Sequence, residues 1–373
     1  MTLKILAATR KGLFTLARTG KAKAPWEIAA TDFLADNVTV VLHDKRSGKL
    51  FAALDHGHFG VKLHVSEGSG HEWSELTAPA YPAKPEDCED KDMWGKPLPW
   101  STVRIWGLET GGAKESGVIW CGTIPGGLFR STDHGASWHM ISSLWNDPKR
   151  VHWMGGGADL PGIHSICVDP RDAKIVRVAV SSGGVWMTRD AGTTWSNDNT
   201  GMWQDRAPEE HKFNPNGQDC HRLVQAPSKP DRMWIQHHNG IFRTDDGGKV
   251  WHEMLKVKPS SFGFAVAVHP HDHDTAWFVP EIKDEKRIPA DGKFVVTRTT
   301  DGGKTFKTLK KGLPKEPSYD IVYRHGLDIS SSGDNLVMGS TTGGLWASDD
   351  QGESWSSASA RLPPVYAVRW LEG

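Results

Sequence analysis

A short motif with the pattern S/T-x-D-x-G-x-x-W/F recurs along the chain and constrains its fold more than any other sequence feature. Five copies are present, at residues 131–138, 188–195, 244–251, 299–306 and 348–355. They start 57, 56, 55 and 49 residues apart, and a sixth copy at 66–73 has Gly68 where the aspartate is expected. Recurrence at such a period indicates a repeat architecture, in which each repeat folds as one supersecondary unit.

Each repeat contains four short runs with the pattern of β-strands. The clearest set lies at residues 163–169, 175–181, 184–188 and 194–197. Four antiparallel strands in a repeat of this length are typical of one blade of a β-propeller. The 40 glycines and 22 prolines fit a chain made of many short strands and turns. The sequence therefore predicts an all-β fold.

Seven such units fit the 373 residues. The runs 3–9 and 11–14 match the second and third strands of a blade, so the first blade lacks its innermost strand. The run 365–370 is predicted to supply that strand, which would close the ring and leave no open sheet edge. We therefore predict a single domain over residues 1–373, a seven-bladed β-propeller closed by pairing of the C-terminal strand with the N-terminal blade.

Charge and composition argue against several classes of protein. The chain has 44 Lys and Arg against 45 Asp and Glu, so its charge gives no reason to expect nucleic acid or an acidic membrane surface as a partner. No apolar run is long enough for a membrane span, and the first residues lack the pattern of a signal peptide. The four cysteines show neither CxxC spacing nor disulfide density. We expect a reduced, cytoplasmic protein with a small-molecule substrate and leave its oligomeric state open.

The repeated motif resembles the Asp-box, or BNR repeat, of sialidases, sortilin-like receptors and plant photosystem assembly factors. The resemblance covers nearly the whole chain and implies a propeller fold. In an Asp-box, the aspartate and the Ser or Thr bond the backbone of the turn between the third and fourth strands, the glycine permits a positive φ, and the aromatic residue packs between blades. The resemblance implies structural roles for the motif aspartates Asp133, Asp190, Asp246, Asp301 and Asp350.

Strand direction predicts where a functional site lies. Because the strands of a blade alternate in direction, the start of the innermost strand lies on the face of the ring opposite the motif turns. Three connections between blades, 75–100, 140–162 and 198–220, are far longer than the equivalent 256–261 and are predicted to cap this same face. The alternative is that these loops only decorate the surface.

Histidines occupy equivalent positions near the start of three innermost strands. His164, His221 and His325 each precede an apolar strand residue by two positions, with Phe264 at the same place in the blade between the last two. Together with Glu281, they match the ligand set of a catalytic divalent metal such as zinc or manganese. The alternative is that these histidines satisfy backbone groups at the ends of the blades.

The first functional hypothesis is a hydrolase of a small anionic ester or phosphoester, with its active site in the axial channel. Imidazole and carboxyl groups would bind a metal or transfer protons, while arginines hold the anionic group. The catalytic candidates are Glu281, His237, Arg104, Arg222 and Arg324. The substrate-binding candidates are Arg10, His56, His58, His238 and Tyr323. Which of His43, His56 and His58 faces the axis is left open.

The second hypothesis, a sialidase-like glycoside hydrolase, follows from the resemblance. Sialidases combine an arginine triad with a tyrosine–glutamate nucleophile and an aspartate acid/base. The residues available here are Arg104, Arg222, Arg324, Tyr323 or Tyr319, and Glu281. The family's R-I-P signature is missing before the first motif, and we interpret its occurrence at 287–289 as coincidence. The third hypothesis is a non-catalytic platform for binding or assembly, which would tolerate loss of every channel histidine.

Overall fold

The computed structural model describes residues 2–19, 24–68, 72–92, 95–197, 199–315 and 317–372. These residues form seven antiparallel sheets, numbered here as blades 1 to 7 in chain order. The short helical segments are α1 (Ser142–Trp145) and the 3-10 turns Gly57–Phe59, Pro148–His152, Glu209–His211, Pro215–Gly217 and Ala290–Gly292. In the described part of the chain, no helix has the length and apolar character needed to cross a bilayer.

The first four blades are built from the following strands. Blade 1 contains β1 (Thr2–Thr9), β2 (Gly12–Thr19) and β3 (Glu27–Asp32). Blade 2 contains β4 (Asn37–Asp44), β5 (Lys49–Asp55), β6 (Val61–Ser66) and β7 (Ser74–Leu76). Blade 3 contains β8 (Arg104–Thr110), β9 (Ile119–Ile124), β10 (Leu128–Ser131) and β11 (His139–Met140). Blade 4 contains β12 (Ile163–Val168), β13 (Val176–Val180) and β14 (Gly184–Thr188).

The remaining blades follow the same order. Blade 5 contains β15 (Cys220–Gln225), β16 (Met233–His237), β17 (Gly240–Thr244) and β18 (His252–Glu253). Blade 6 contains β19 (Gly263–Val268), β20 (Ala276–Lys283), β21 (Lys286–Pro289), β22 (Val296–Thr299) and β23 (Lys307–Leu309). Blade 7 contains β24 (Leu327–Ile329), β25 (Leu336–Gly339), β26 (Leu345–Ser348) and β27 (Ser356–Ser359). The last strand is β28 (Val365–Leu371).

The last strand belongs to the first blade. β28 pairs antiparallel with β1, with Leu371 opposite Lys4 and Val365 opposite Thr9, and the sheet order is β28-β1-β2-β3. The predicted all-β, seven-bladed propeller and the closure of its ring by the C-terminal strand are confirmed.

Blade 4 departs from the prediction at its outer edge. The expected fourth strand at 194–197 is reduced to a single bridge between Met187 and Ser196. The side chain of Asn199 occupies the backbone groups that a longer strand would use, because its Oδ1 accepts from the Val185 amide at 2.9 Å and its Nδ2 donates to the Val185 carbonyl at 3.2 Å. The Asn199 side chain thus competes with a fourth strand for the backbone groups of Val185.

The repeated motif closes the turn after the third strand of a blade. In blade 4, Asp190 accepts hydrogen bonds from the hydroxyl of Thr188 at 2.7 Å and from the amide and hydroxyl of Thr194 at 2.8 and 2.7 Å. These hydrogen bonds, first that of the Thr194 hydroxyl, lower the pKa of Asp190 to about 2. Asp133, Asp301 and Asp350 make the same set of bonds. Their acceptor capacity is used within the turn, which agrees with a structural role.

The hydrophobic core lies between neighbouring blades. Large apolar residues from the second strands, Trp120, Trp234 and Trp277, are almost fully buried, as is Trp186 on a third strand. One cluster joins blades 3 and 4 and another joins blades 6 and 7. Because each sheet is packed on both faces, the innermost strands are held at fixed positions around the channel.

Candidate active site at the mouth of the central channel

The innermost strands carry β-bulges at equivalent positions. In β4, β8, β12, β15 and β28, one residue is skipped in the pairing with the neighbouring strand. These residues are Thr39, Trp106, His164, His221 and Tyr366. In β19 the irregularity falls between Gly263 and Val266 and includes Phe264. A bulge bends its strand and redirects the extra side chain, so six blades turn a side chain out of the regular pleat at one end of the channel.

A cavity of about 260 Å³ lies at this end of the channel. Four of the bulge residues line it, Thr39, Trp106, Phe264 and Tyr366. The other lining residues are Asn37, Arg104, Gly157, Arg287, Tyr323, Arg324 and His325. The cavity thus brings three guanidinium groups together with the aromatic rings of Trp106, Phe264, Tyr323 and Tyr366.

Arg324 is the most enclosed of the three arginines. Its Nη2 donates to the main-chain carbonyl of Gly156 at 2.9 Å, and its guanidinium carbon lies 4.8 Å from the ring centroid of Trp106. The guanidinium carbons of Arg287 and Arg324 lie 5.3 and 5.5 Å from the ring centroid of Phe264. Burial lowers the pKa of Arg324 to about 10, so the group still carries its charge at neutral pH.

Arg104 is the third arginine that lines the cavity, and it pairs with an aspartate. Its Nη2 lies 3.1 Å from Oδ2 of Asp55. Arg104 is not the equivalent of the aligned histidines, since the bulge of its strand falls on Trp106. It reaches the cavity from the first residue of β8.

The predicted convergence of the three aligned histidines on one metal is wrong. The ring of His164 is used on both sides, by the Ser165 hydroxyl at 2.9 Å and by the Cys220 carbonyl at 2.7 Å. His325 lines the cavity and its two ring nitrogens have no hydrogen-bond partner among the described residues. Within those residues, no group of possible metal ligands contains two of His164, His221, His325 and the fourth predicted ligand Glu281.

The physical reason is that bulge side chains reach sideways to the next blade. Thr39 Oγ1 donates to the Ile105 carbonyl at 3.1 Å, His164 Nε2 bonds the Cys220 carbonyl at 2.7 Å, and His221 Nδ1 bonds the Gly263 carbonyl at 2.7 Å. Each acceptor is the residue immediately before the bulge of the following blade. These bonds satisfy buried carbonyl groups and join neighbouring blades, so for His164 the structural alternative describes the observed contacts.

The predicted arginine set also changes. Arg222 lines a second cavity of about 580 Å³, further along the channel towards the motif turns, together with Glu109, Asp328 and Arg369. The cause is strand geometry, because the bulge falls on His221 and Arg222 returns to the regular pleat. The grouping of Arg104 and Arg324 with Arg222 is therefore wrong. Arg287, the first residue of the R-I-P occurrence that we interpreted as coincidence, lines the cavity with Arg104 and Arg324 instead.

The other predicted site residues are scattered around the cavity. Tyr323 lines it. His237 is fully buried, its Nδ1 accepts from the Asn239 amide at 3.1 Å, and burial lowers its pKa to about 3. The residues outside the lining are Arg10, His56, His58, His237, His238, Glu281 and Tyr319. His43 pairs with Leu50 at the far end of β4, four residues beyond Thr39, so it does not reach this end of the channel.

The long loops contact this end of the propeller. In the first, the Tyr81 hydroxyl lies 2.7 Å from the Thr123 hydroxyl. In the second, Gly157 lines the cavity. In the third, Gln218 accepts from the Gly184 amide at 2.9 Å. Residues 93–94 and 198 of the predicted loops lie outside the described residues.

Glu281 sits next to this cavity in an unusual environment. It is 1% exposed, and neither carboxyl oxygen has a hydrogen-bond partner among the described residues. Burial raises its pKa to about 8, although the positive charge of Arg287 acts in the opposite direction. The carboxyl group is therefore protonated at neutral pH.

Glu281 makes the stability of the protein depend on pH. Between the ordinary pKa of 4.5 and the folded value of about 8, the folded protein holds a proton that the unfolded chain has lost. Raising the pH through this range therefore favours unfolding, by on the order of a few kcal/mol. We expect wild-type protein to lose more stability than Glu281→Gln between pH 5 and pH 9, as measured by urea unfolding at each pH.

The matched control for this experiment is Glu285→Gln, which alters an exposed carboxylate four residues away. Its unfolding free energy should follow the wild-type pH profile closely. Parallel profiles for wild type and Glu281→Gln would contradict a buried, protonated Glu281.

Sequence reasoning missed several residues at this site. Trp106 and Tyr366 could have been found by aligning every innermost strand at the bulge, the position at which Phe264 was already aligned with the histidines. Asp219 is a further case, because it directly precedes the bulged strand that carries His221. Its position one residue before β15 is the sequence feature that could have identified it.

Comparison with known proteins supports the fold. No family model matches the chain. A probable oligoxyloglucan-reducing end-specific xyloglucanase of Neosartorya fischeri is 24% identical over 233 residues, which cover 60% of this chain and 27% of that protein. The chain thus spans about a quarter of the length of that curated relative.

Two solved structures share the fold. An ancestral GH74 enzyme superimposes with a TM-score of 0.58 at 14% identity, over 89% of this chain and 38% of its own. YCF48 from Cyanidioschyzon merolae superimposes with a TM-score of 0.54 at 12% identity, over 88% of this chain and 87% of its own. This protein is a seven-bladed propeller that resembles both.

Proposed function

We propose that this protein is a hydrolase that binds a small anionic substrate in the channel-mouth cavity. The single observation that carries the proposal is the convergence of Arg104, Arg287 and Arg324 on one enclosed space. Arg104 and Arg287 already pair with the carboxylates of Asp55 and Asp284, whereas Arg324 makes no ion pair among the described residues. A bound anion would therefore balance the charge of Arg324 in particular. The weak relationship to a xyloglucanase supports a hydrolase.

The cavity limits the size of the substrate. At about 260 Å³ it lies just below the range of typical ligand pockets. A carboxylate or phosphate group in this cavity would accept charge-assisted hydrogen bonds from Arg324 and Arg287, which both line it. The hydroxyls of Tyr323 and Tyr366 are further donors at the wall. The preferred substrate is a small anionic ester or phosphoester.

His325 is the residue best placed to transfer a proton. It lines the cavity, and both of its ring nitrogens lack protein partners among the described residues. Burial lowers its pKa well below the ordinary value, so the resting ring is neutral and can accept a proton. A bound anion nearby would raise that pKa again, because it stabilises the imidazolium form.

In the proposed hydrolysis, His325 first accepts a proton from water and later returns it to the leaving group. Water adds to the acyl carbon or phosphorus of the substrate and gives its proton to a ring nitrogen of His325. The arginines stabilise the negative charge that develops on the substrate oxygen. The bond to the leaving oxygen then breaks, and the imidazolium returns the proton to that oxygen.

A glycoside hydrolase is the second candidate. The relationship to the xyloglucanase favours it, and an arginine cluster beside tyrosines would suit a sugar that carries a carboxylate. The cavity has room for about one sugar unit rather than a polysaccharide chain. A sialidase-like enzyme would therefore use Arg104, Arg287 and Arg324 to bind the carboxylate of a terminal sugar.

A substrate panel tests these proposals. Purified protein is assayed with 4-nitrophenyl and umbelliferyl esters, phosphoesters and glycosides, including a sialoside and a xyloglucan oligosaccharide. Turnover of a small anionic ester or phosphoester that is lost in Arg324→Met supports the first candidate. Turnover of glycosides alone replaces it with the second. If the protein turns over none of these substrates, both candidate hydrolase functions are overturned. Binding of a partner protein that is unchanged in Arg324→Met would then support the binding-platform hypothesis.

A further inference from the structure

Asp219, His221 and His238 form a buried cluster beside the channel-mouth cavity. Asp219 directly precedes β15, His221 is the bulge residue of that strand, and His238 lies in the turn between β16 and β17. The three residues are 5, 3 and 8% exposed. Each offers one possible ligand atom, and these atoms all lie within 4.8 Å of one another.

The backbone holds the cluster together. The His238 amide donates to the Asp219 carbonyl at 2.9 Å, which fixes the turn against the start of β15. His221 Nε2 lies 3.7 Å from Asp219 Oδ1, and His238 Nδ1 lies 3.5 Å from Asp219 Oδ2. Ligands at about 2.1 Å from a tetrahedral zinc ion are separated by roughly 3.4 Å. The two histidine–carboxylate distances are close to that value, whereas a pair of ligand atoms at the 4.8 Å limit would have to move closer together on binding.

The tautomer of His221 leaves two acceptors facing each other. Its Nδ1 lies 2.7 Å from the Gly263 carbonyl, and a carbonyl can only accept, so Nδ1 carries the hydrogen. In the neutral ring Nε2 then presents a lone pair towards Asp219. Oδ1 of Asp219 has no hydrogen-bond partner among the described residues. A buried lone pair opposite a buried, unpartnered carboxylate oxygen is unfavourable unless a proton or a metal cation lies between them.

The carbonyl of Gly263 accepts a hydrogen bond from Nδ1 of His221, the ring nitrogen that faces away from Asp219. In a metal-bound histidine, the N–H of the other ring nitrogen usually donates a hydrogen bond to a carbonyl or carboxylate, which fixes the orientation of the ring. His237, the neighbour of His238, does not share this property. Its Nδ1 accepts from the Asn239 amide, so its hydrogen is on Nε2 and it has no free lone pair for a metal.

We propose that Asp219, His221 and His238 bind one divalent transition metal ion, with zinc as the reference ion. Two imidazoles and one carboxylate form a three-ligand set of the kind found in catalytic metal sites, where a water molecule completes the coordination. This set shares only His221 with the ligands expected from the sequence.

The surrounding charges moderate the affinity. The positive charges of Arg324, Arg206 and Arg287 act on the histidines of the cluster, and Asp205 acts in the opposite direction on His238. With one carboxylate among the ligands, we expect weaker binding than at sites with several carboxylates. The selectivity should favour zinc over magnesium, since magnesium prefers oxygen ligands.

The position of the cluster connects it to the cavity. The His221 ring stacks on Phe264, a lining residue, with centroids 4.6 Å apart. A side chain on Gly156 would come within 3.0 Å of Asp219 Oδ1, while the next residue, Gly157, lines the cavity. A metal here would lie next to an anion held by Arg324. Binding of the metal does not depend on the hydrolase activity proposed above.

Metal uptake tests the site. Protein without a polyhistidine tag is stripped with a chelator and dialysed against zinc chloride or magnesium chloride, and metal content is measured by mass spectrometry. We expect about one zinc per chain, no magnesium, and a zinc-dependent rise in melting temperature. Asp219→Asn and His238→Gln should weaken zinc binding by at least about tenfold. His325→Gln, outside the cluster, should bind zinc like the wild type.

Two results would overturn the proposal. One is a wild-type protein that takes up no zinc, manganese or cobalt above the level of a histidine-free control protein. The other is zinc uptake that is equal in wild type, Asp219→Asn and His238→Gln when all three melt at the same temperature in chelator. Zinc uptake without turnover on the substrate panel would support the metal site and count against the hydrolase, so the two failures are distinguishable.

Discussion

Deletion of residues 364–373 is expected to abolish cooperative folding. The deletion removes β28, which supplies the innermost strand of blade 1. Val365, Val368 and Trp370 are at most 4% exposed, and burying side chains of this kind contributes about 1.5–3 kcal/mol each. Their loss alone is comparable with the whole stability of a typical domain. The deletion also exposes the backbone groups of β1 that β28 satisfies.

Circular dichroism, size-exclusion chromatography and urea unfolding would measure the effect. The matched control is deletion of residues 372–373, which leaves β28 intact and removes the contacts of Glu372 with Lys45 and the Ser331 amide. Partly exposed ion pairs of this kind contribute about 1 kcal/mol or less. A soluble 1–363 fragment with a sharp transition near the wild-type melting temperature would refute the role assigned to the closing strand.

Replacement of Arg324 with methionine is expected to reduce anion binding by about 10- to 100-fold. Methionine keeps much of the apolar volume between Trp106 and Phe264 but removes the charge and its donors. Hydrogen bonds to charged groups contribute about 1.5–3 kcal/mol, which corresponds to that range of affinity. Titration calorimetry with inorganic phosphate and with acetate would measure the loss, and kcat/KM on an active substrate should fall in parallel.

Arg222→Met is the control for this experiment. Arg222 is an arginine of the same channel whose pKa burial also lowers to about 10, but it lines the other cavity. Its replacement should leave anion binding at the channel mouth within about twofold of wild type. Arg324→Lys should retain part of the affinity, because it keeps the charge and loses the paired donors. Equal losses in the Arg324 and Arg222 variants would show that the channel mouth is not the anion site.

The fold was predictable because its determinants are local and repeated. Each motif closes its own turn through a Ser or Thr, an aspartate and a glycine, as in Thr188, Asp190 and Gly192. Seven copies of a similar unit leave few alternative arrangements, and the unpaired first blade indicated how the ring closes. The outer edge of blade 4 escaped prediction, because the side chain of Asn199 replaces backbone pairing there.

The site was predictable only in part, because the bulges change which side chains face the channel. Alternation aligned His164, His221 and His325, and His164 and His221 do occupy equivalent bulges, but alternation could not show that His164 bonds the next blade. One extra residue in each strand also reverses the direction expected for the residue that follows, which is why Arg222 lies in the other cavity. Arg287 comes from an additional strand pair, β20 with β21, which has no counterpart among the described residues of the other blades.

The bulges separate the architecture of the ring from the chemistry of its mouth. A residue that is skipped by the ladder can change its side chain without breaking a strand-to-strand hydrogen bond. At Trp106, Phe264 and Tyr366, the identity of the side chain therefore shapes the opening while the sheets behind it stay paired. A single scaffold of this kind can be adapted to a new ligand by point substitutions, with no need to rebuild its loops.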